Sequence, residues 1–180
     1  RIASLVSTPD LAGPEAAGPP GSRLPLVGIG ASSLAPVQAL LDRITRRDVA
    51  LVVVLEDGST ADPTQLRSPA LELVVTQDGT PPVAGRLYVA PPGQQLALRE
   101  GALRVQAPGR TRLPIDAFLR SLADDRRGEA IGVVLAGAST DGTLGLLAIR
   151  AADGITLVQD PAGARPDLMP RSAIDAGAPD

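Results

Sequence analysis

Short runs of branched apolar residues alternate with longer helical stretches from Leu24 onward, and this alternation constrains the fold more than any other feature of the sequence. Residues 26–29 predict a strand, 34–46 a helix and 49–55 a second strand. A βαβ unit of this kind pairs its strands in parallel, because the crossover helix returns the chain to the same end of the sheet. The chain is therefore predicted to build an α/β fold around a buried parallel sheet.

The remaining apolar runs continue the same pattern. Further strands are predicted over residues 71–75, 87–89, 131–135 and 155–158, and helices over 115–125 and 144–152. Residues 95–105 flank a Glu100-Gly101 pair, which predicts a β-hairpin added to the sheet. The predicted fold is an α/β, doubly wound, mainly parallel sheet (Rossmann-like) with an antiparallel hairpin. Residues 1–23, rich in Ala, Gly and Pro, are interpreted as a linker or tail, and residues 24–180 as one domain.

The composition excludes several classes of chemistry. The sequence contains no Cys and no His, so it lacks thiolate nucleophiles, disulfides, the commonest metal ligand and the commonest general base. The net charge is −3 with no block of like charges, which argues against nucleic acid as a partner. No stretch approaches the roughly 20 apolar residues of a membrane span. We therefore expect no cofactor, no metal, no membrane insertion and a cytoplasmic location.

Three polar loops that follow predicted strands are the candidate functional segments. Ser32 follows the first strand, Glu56 the second, and Asp141 the strand at 131–135. Doubly wound sheets place ligand-binding and catalytic groups beyond the carboxyl ends of their strands. Each residue also has a simpler interpretation. Ser32, or Ser33 beside it, can cap a helix; Glu56 can belong to a solvated turn; Asp141 can cap the helix that follows it.

Several segments resemble those of a known family. They are Val-Gly-Ile-Gly-Ala-Ser over residues 27–32, the run 79–93 that ends Tyr-Val-Ala-Pro-Pro-Gly, and the segments 112–123, 131–135, 141–145, 159–161 and 169–174. Together they resemble the CheB-type protein-glutamate methylesterases over nearly all of residues 24–180. The Leu-Pro-Ile-Asp run at 113–116 is most similar to large sensory fusion proteins, in which a methylesterase domain precedes a methyltransferase domain and often sensor and histidine-kinase modules.

The resemblance implies a site and also a defect in it. The family hydrolyses the methyl ester of chemoreceptor glutamates with a Ser-His-Asp triad, and Ser32 and Asp141 match the serine and the aspartate. Glu56 stands where the family has its histidine, and a carboxylate is a poor general base for a serine hydroxyl. The pairs 34–35 (Leu-Ala) and 138–139 (Ala-Ser) also replace glycines of the family pattern.

We therefore expect a catalytically inactive CheB-like domain, a pseudoenzyme, in a bacterial chemotaxis or two-component signalling protein. Its role would be that of an interaction or regulatory module that binds a chemoreceptor, another signalling protein, or neighbouring methyltransferase or kinase domains of the same chain. The first alternative is an active methylesterase that uses Ser32 and Asp141. The second is a dinucleotide-binding domain, since a Gly-x-Gly-x-x-Ser run at 28–33 follows a strand and Glu56 ends the next one, although the third glycine of that fingerprint is missing.

Overall fold

A six-stranded parallel sheet forms the centre of the molecule. The computed structural model describes residues 24–110 and 112–180, so the linker predicted over residues 1–23 lies outside the described residues. The strands of the described residues are β1 (Leu26–Ala31), β2 (Ala50–Leu55), β3 (Glu72–Val75), β4 (Arg86–Val89), β5 (Gln95–Arg99), β6 (Ala102–Gln106), β7 (Ala130–Val134) and β8 (Ile155–Val158). The large sheet has the order β3-β4-β2-β1-β7-β8, and all its neighbouring strands are parallel. The predicted α/β, mainly parallel fold class is confirmed.

Helices cover both faces of this sheet, as a doubly wound fold requires. In the described residues they are α1 (Leu34–Leu41), α2 (Pro114–Arg126), α3 (Thr143–Ala151) and α4 (Leu168–Asp175). α1 packs on the face that carries Val27 and Ile29, whereas α2, α3 and α4 pack on the other face. Burial from both sides explains why β1 is an uninterrupted apolar run. None of the helices in the described ranges is long and apolar enough to cross a membrane.

The glycines of β1 let α2 lie close to the sheet. A Cβ atom added at Gly30 would lie 2.3 Å from Cγ2 of Ile115, and one added at Gly28 would lie 2.7 Å from Cδ2 of Leu119. Both distances are far below van der Waals contact, so only glycine fits at these two positions. The two glycines of β1 therefore allow α2 to pack closely against this strand.

The predicted hairpin is present but lies outside the parallel sheet. β5 and β6 form a separate two-stranded antiparallel sheet, and Glu100 and Gly101 make its turn with positive φ angles of 52° and 74°. The hairpin packs on α2, where the N–H of Leu98 donates to Ser121 Oγ (2.8 Å) and the N–H of Gly101 donates to Asp125 Oδ2 (2.9 Å). Its buried leucines join the core on the α2 face of the sheet. The expectation that the hairpin extends the main sheet is wrong, because it buries its apolar side chains over a helix instead.

The direction of strand addition reverses between β1 and β7. From β1 the chain adds β2, with β4 and β3 beyond it on the same side, whereas β7 and β8 lie on the opposite side. The loops that follow β1 and β7 are therefore neighbours at the carboxyl edge of the sheet. Open α/β sheets bind ligands at such a switch point, and Ser32 and Asp141 belong to these two loops.

Candidate active site

Ser32 is held by the loop that follows β7. Its N–H and its hydroxyl both donate to the carbonyl oxygen of Ala136, at 3.0 Å and 3.2 Å. Its own carbonyl accepts the hydroxyl of Ser59 at 2.8 Å. Ser33 is the N-cap residue of α1, and its side chain makes no capping hydrogen bond. The expectation that Ser32 or Ser33 caps α1 is thus confirmed for the position of Ser33, but not for a capping hydrogen bond from its side chain.

Glu56 lies at the end of β2, next to the serine loop. Its N–H donates to the carbonyl of Ala31, the last residue of β1, at 3.0 Å. Its carboxylate accepts the hydroxyl of Ser139 at 2.7 Å and, more weakly, the N–H of Ala138 at 3.3 Å. Within the described ranges the Glu56 carboxylate makes no hydrogen bond to Ser32 or to Asp141. The side chain thus ties β2 to the loop after β7.

Asp141 is almost completely buried, with 1% of its surface exposed. Its carboxylate accepts three backbone N–H groups: Ile115 at 3.0 Å and Asp116 at 2.7 Å, both in the first turn of α2, and Gly142 at 2.9 Å. The residue therefore caps α2 and not α3, which begins at Thr143 after the N-cap residue Gly142. The expected cap exists, but on a different helix. The N–H of Asp141 donates to Ser139 Oγ at 3.2 Å, which links the backbone here to Glu56.

Asp116, which lies in α2, caps α3 in the same way as Asp141 caps α2. Its Oδ1 accepts the N–H of Gly145, in the first turn of α3, at 2.7 Å, and only 5% of the residue is exposed. Burial raises the pKa of Asp141 to about 6, against three backbone hydrogen bonds that lower it and with a further rise from the charge of Asp116. Burial also raises the pKa of Asp116. We call these two residues the crossed cap.

A cleft opens beside the site, between the loops that follow β2 and β4. Its volume is about 570 Å³. Its lining includes three carboxylates, all from the segment that follows β2, and apolar residues that are mostly prolines: Glu56, Asp57, Asp62, Pro63, Pro91, Pro92, Leu96, Pro108 and Pro114. Asp57 has a distant ion pair with Arg112, whose Nη1 lies 3.7 Å from Oδ2. No group of three or more acidic side chains in residues 24–110 and 112–180 is placed to hold a metal ion. We call this feature the acidic cleft.

Comparison with known proteins assigns the family. The family model described as CheB methylesterase matches residues 26–180. The chain belongs to the CheB methylesterase family. Its fold agrees with the CheB methylesterase catalytic domain of Thermotoga maritima, at a TM-score of 0.71 and 22% identity over 88% of this chain and 92% of that one.

Relatives of the CheB methylesterase family differ in how much of their length this chain matches. A protein-glutamate methylesterase/protein-glutamine glutaminase 2 of Burkholderia pseudomallei is 35% identical over 193 residues, which cover 99% of this chain and 56% of that protein. An uncharacterized 104.1 kDa protein of Rhodobacter capsulatus is 39% identical over 113 residues, covering 62% of this chain and 12% of that protein. The chain thus spans only part of these relatives.

The three predicted site residues of this CheB-family chain lie on three adjacent strand ends, but hydrogen bonds do not join them into a triad. Sequence reasoning missed Ser139 as the link between Glu56 and Asp141, and Asp116 as the partner in the crossed cap. Only a pattern of Asp at the third position of α2, after a proline, hinted at the latter. The two glycines of the run proposed for dinucleotide binding, Gly28 and Gly30, lie inside β1, so they form no turn against which a pyrophosphate would rest.

Proposed function

We propose that this CheB-family domain has no esterase activity and acts as an interaction or regulatory module of a bacterial signalling protein. The observation that carries the proposal is the state of Glu56. The resemblance to the family gives Glu56 the place of the histidine, its carboxylate accepts the hydroxyl of Ser139, and the sequence contains no histidine that could replace the missing base.

Serine attack needs a group that accepts the hydroxyl proton. The hydroxyl of Ser32 instead donates to the Ala136 carbonyl oxygen at 3.2 Å, and a peptide carbonyl is far too weakly basic to take a proton from a serine. Removal of one member of a catalytic triad lowers turnover by about four orders of magnitude or more in serine hydrolases. Ser32 is therefore a hydrogen-bonded polar side chain with no general base to activate its hydroxyl.

The aspartate of a triad orients the imidazole and stabilises its charged form. Asp141 has instead used both carboxylate oxygens on the backbone N–H groups of α2 and of Gly142. These hydrogen bonds give Asp141 a structural role that does not depend on catalysis. They stabilise the fold whether or not the domain hydrolyses an ester.

The partner that we propose is a chemoreceptor, another signalling protein, or a methyltransferase or kinase domain in the same polypeptide. The Rhodobacter relative supports a place for such a domain within a longer polypeptide, since the matched segment is 12% of that 104.1 kDa protein.

Hydrolysis of a glutamyl methyl ester tests the proposal. The substrate is a methylated receptor fragment, and methanol release is measured for the unmodified domain and for Ser32→Ala across pH 6 to 9. The expected result is the same background rate for both. A rate in the unmodified domain that Ser32→Ala abolishes would show an active methylesterase and overturn the proposal.

Two further variants sharpen this test. Glu56→His places imidazole beside Ser32, and any rate it gains must vanish in the Ser32→Ala, Glu56→His double variant if the serine is the nucleophile. Such a gain would assign the loss of activity to residue 56. Binding of the domain to its receptor or partner domain, measured in parallel, should be the same for Ser32→Ala as for the unmodified chain.

A further inference from the structure

The acidic cleft has the size and position of a binding site rather than of a packing defect. At about 570 Å³ it falls in the range of pockets that hold small molecules or a few peptide side chains. It lies beyond the carboxyl ends of β2 and β4, beside Glu56, and opens to solvent between two loops.

The charge of the acidic cleft has one sign. Its described lining residues include Glu56, Asp57 and Asp62 and no Lys or Arg. Asp62 Oδ1 accepts the N–H and the hydroxyl of Thr64, which lowers the pKa of this carboxyl, while its Oδ2 has no hydrogen-bond partner among the described residues. A concave surface lined by carboxylates focuses a negative potential into the space that it encloses.

The apolar lining of the cleft suits the stem of a long cationic side chain. It includes Pro91, Pro92, Leu96 and Pro108, and such surfaces cover methylene groups while a charged head reaches the carboxylates. A guanidinium suits this geometry better than an ammonium, because it is weakly hydrated and pairs with carboxylates through a planar fork.

The chain itself already places one guanidinium at the rim. Arg112 Nη1 lies 3.7 Å from Asp57 Oδ2, and the Arg112 side chain is 81% exposed. This contact is long and solvated, so it is a weak ion pair that another cation can displace. Its presence shows which charge the rim attracts.

We propose that the acidic cleft docks an extended, arginine-bearing segment of a partner protein. This inference rests on the proposed function, and it names the chemistry of the partner. The arginine head pairs with Asp57 and Asp62, its stem packs on the prolines, and Arg112 competes for the same rim.

A peptide titration tests the inference. The probe is the blocked peptide acetyl-Ala-Pro-Arg-Ala-Arg-Pro-Ala-amide, followed by backbone chemical shifts of the full 180-residue chain. Versions in which citrulline or glutamate replaces both arginines serve as controls, since citrulline keeps the shape without the charge. We expect saturable shifts around the cleft for the arginine peptide only, and weaker binding as salt is raised.

Variants of the chain assign the site. Asp57→Asn with Asp62→Asn should weaken binding about tenfold, the loss of two solvated ion pairs, and Arg112→Ala should tighten it several-fold. The matched control is Asp78→Asn with Asp160→Asn. Asp78 faces Arg104 at 3.9 Å, and Asp160 caps a 3-10 turn through Ala162 as Asp62 does through Thr64, but neither residue lines the cleft.

Three results would overturn the inference: no saturable binding of the arginine peptide, equal binding of the citrulline peptide, or equal losses in the two double variants. Its failure is separable from that of the proposed function. A chain that hydrolyses the ester yet binds the peptide refutes only the proposed function. A chain that is inactive and binds no peptide refutes only the docking inference.

Discussion

Gly30 shows how little space separates the central strand from the helix above it. Its missing side chain would meet Ile115 at 2.3 Å, and Ile115 is fully buried, so neither partner has room to move. We expect Gly30→Ala to lower the free energy of unfolding by about 1–3 kcal/mol, as overpacked cores do. Urea denaturation monitored by circular dichroism measures this loss.

Gly163→Ala is the matched control. No atom lies within 4 Å of the added Cβ at this position, and its φ is not in the left-handed region. Its stability should stay within about 0.5 kcal/mol of the unmodified chain. Equal stability of the two variants would contradict the tight packing of α2 on β1.

The positions of the candidate side chains could be predicted from the sequence. Ser32, Glu56 and Asp141 were expected at one edge of the sheet, and they lie there because parallel strands end together. Their partners were not predictable from sequence. Ser139 contacts Glu56 across 83 residues, and such a bond depends on how two loops meet, which no local pattern encodes.

At the level of helices, the crossed cap joins α2 to α3 through two buried carboxylates. The folded chain holds a proton on Asp141 more tightly than the unfolded chain, because the folded pKa of about 6 exceeds the ordinary value of 3.8. The free energy of unfolding should therefore rise as pH falls from above 6 toward 4, by up to about 3 kcal/mol for one group with such a pKa. Burial raises the pKa of Asp116 as well, and the charge of Arg120 opposes that rise.

Asp141→Asn isolates this effect. Urea midpoints at pH 7.5, 6.0 and 5.0 should change less with pH in this variant than in the unmodified chain, because the titrating group is gone. Asp160→Asn removes an exposed carboxylate with a similar capping task, and it should keep the pH dependence of the unmodified chain. An identical pH profile in Asp141→Asn would refute the assignment of the effect to the crossed cap.

The ends of helices and strands agree with the predictions where a particular side chain, such as a proline, signals the boundary. β8 was predicted at its observed bounds, and α2 begins one residue early at Pro114, whose ring favours the first helical turn. α1 was predicted to residue 46 but ends at Leu41. The apolar period continues past that point, and Ile44 packs against the core from a turn instead, so periodicity alone overestimates the helix.

On the scale of the whole molecule, the parallel order was predictable because strands, crossovers and their handedness obey few rules. The hairpin was not placed correctly, since local alternation shows that two strands pair but not which surface they cover.

The open edge at β8 is a further whole-sheet feature. Asp180 makes two hydrogen bonds to Thr156 there. The Asp180 carboxylate accepts the Thr156 N–H at 2.7 Å, and the Asp180 N–H donates to the Thr156 carbonyl oxygen at 3.3 Å.

Asp180→Ala should loosen this edge. The Thr156 N–H would lose its acceptor, and an unmet hydrogen bond of this kind costs about 1 kcal/mol or more. Hydrogen exchange of the Thr156 amide should speed up several-fold, while amides in β1, at the centre of the sheet, should keep their rates. Unchanged exchange at Thr156 would contradict the proposed edge contact.

The crossed cap also bears on how such domains change over generations. A lineage that no longer uses the esterase would still be selected to keep Asp141, because a chain without it fails to cap α2. The hydroxyl of Ser32 makes one hydrogen bond to a carbonyl and has no comparable structural role. In such a lineage, Ser32 could therefore be substituted more readily. An aspartate at position 141 is therefore a poor marker for working esterases in genome surveys.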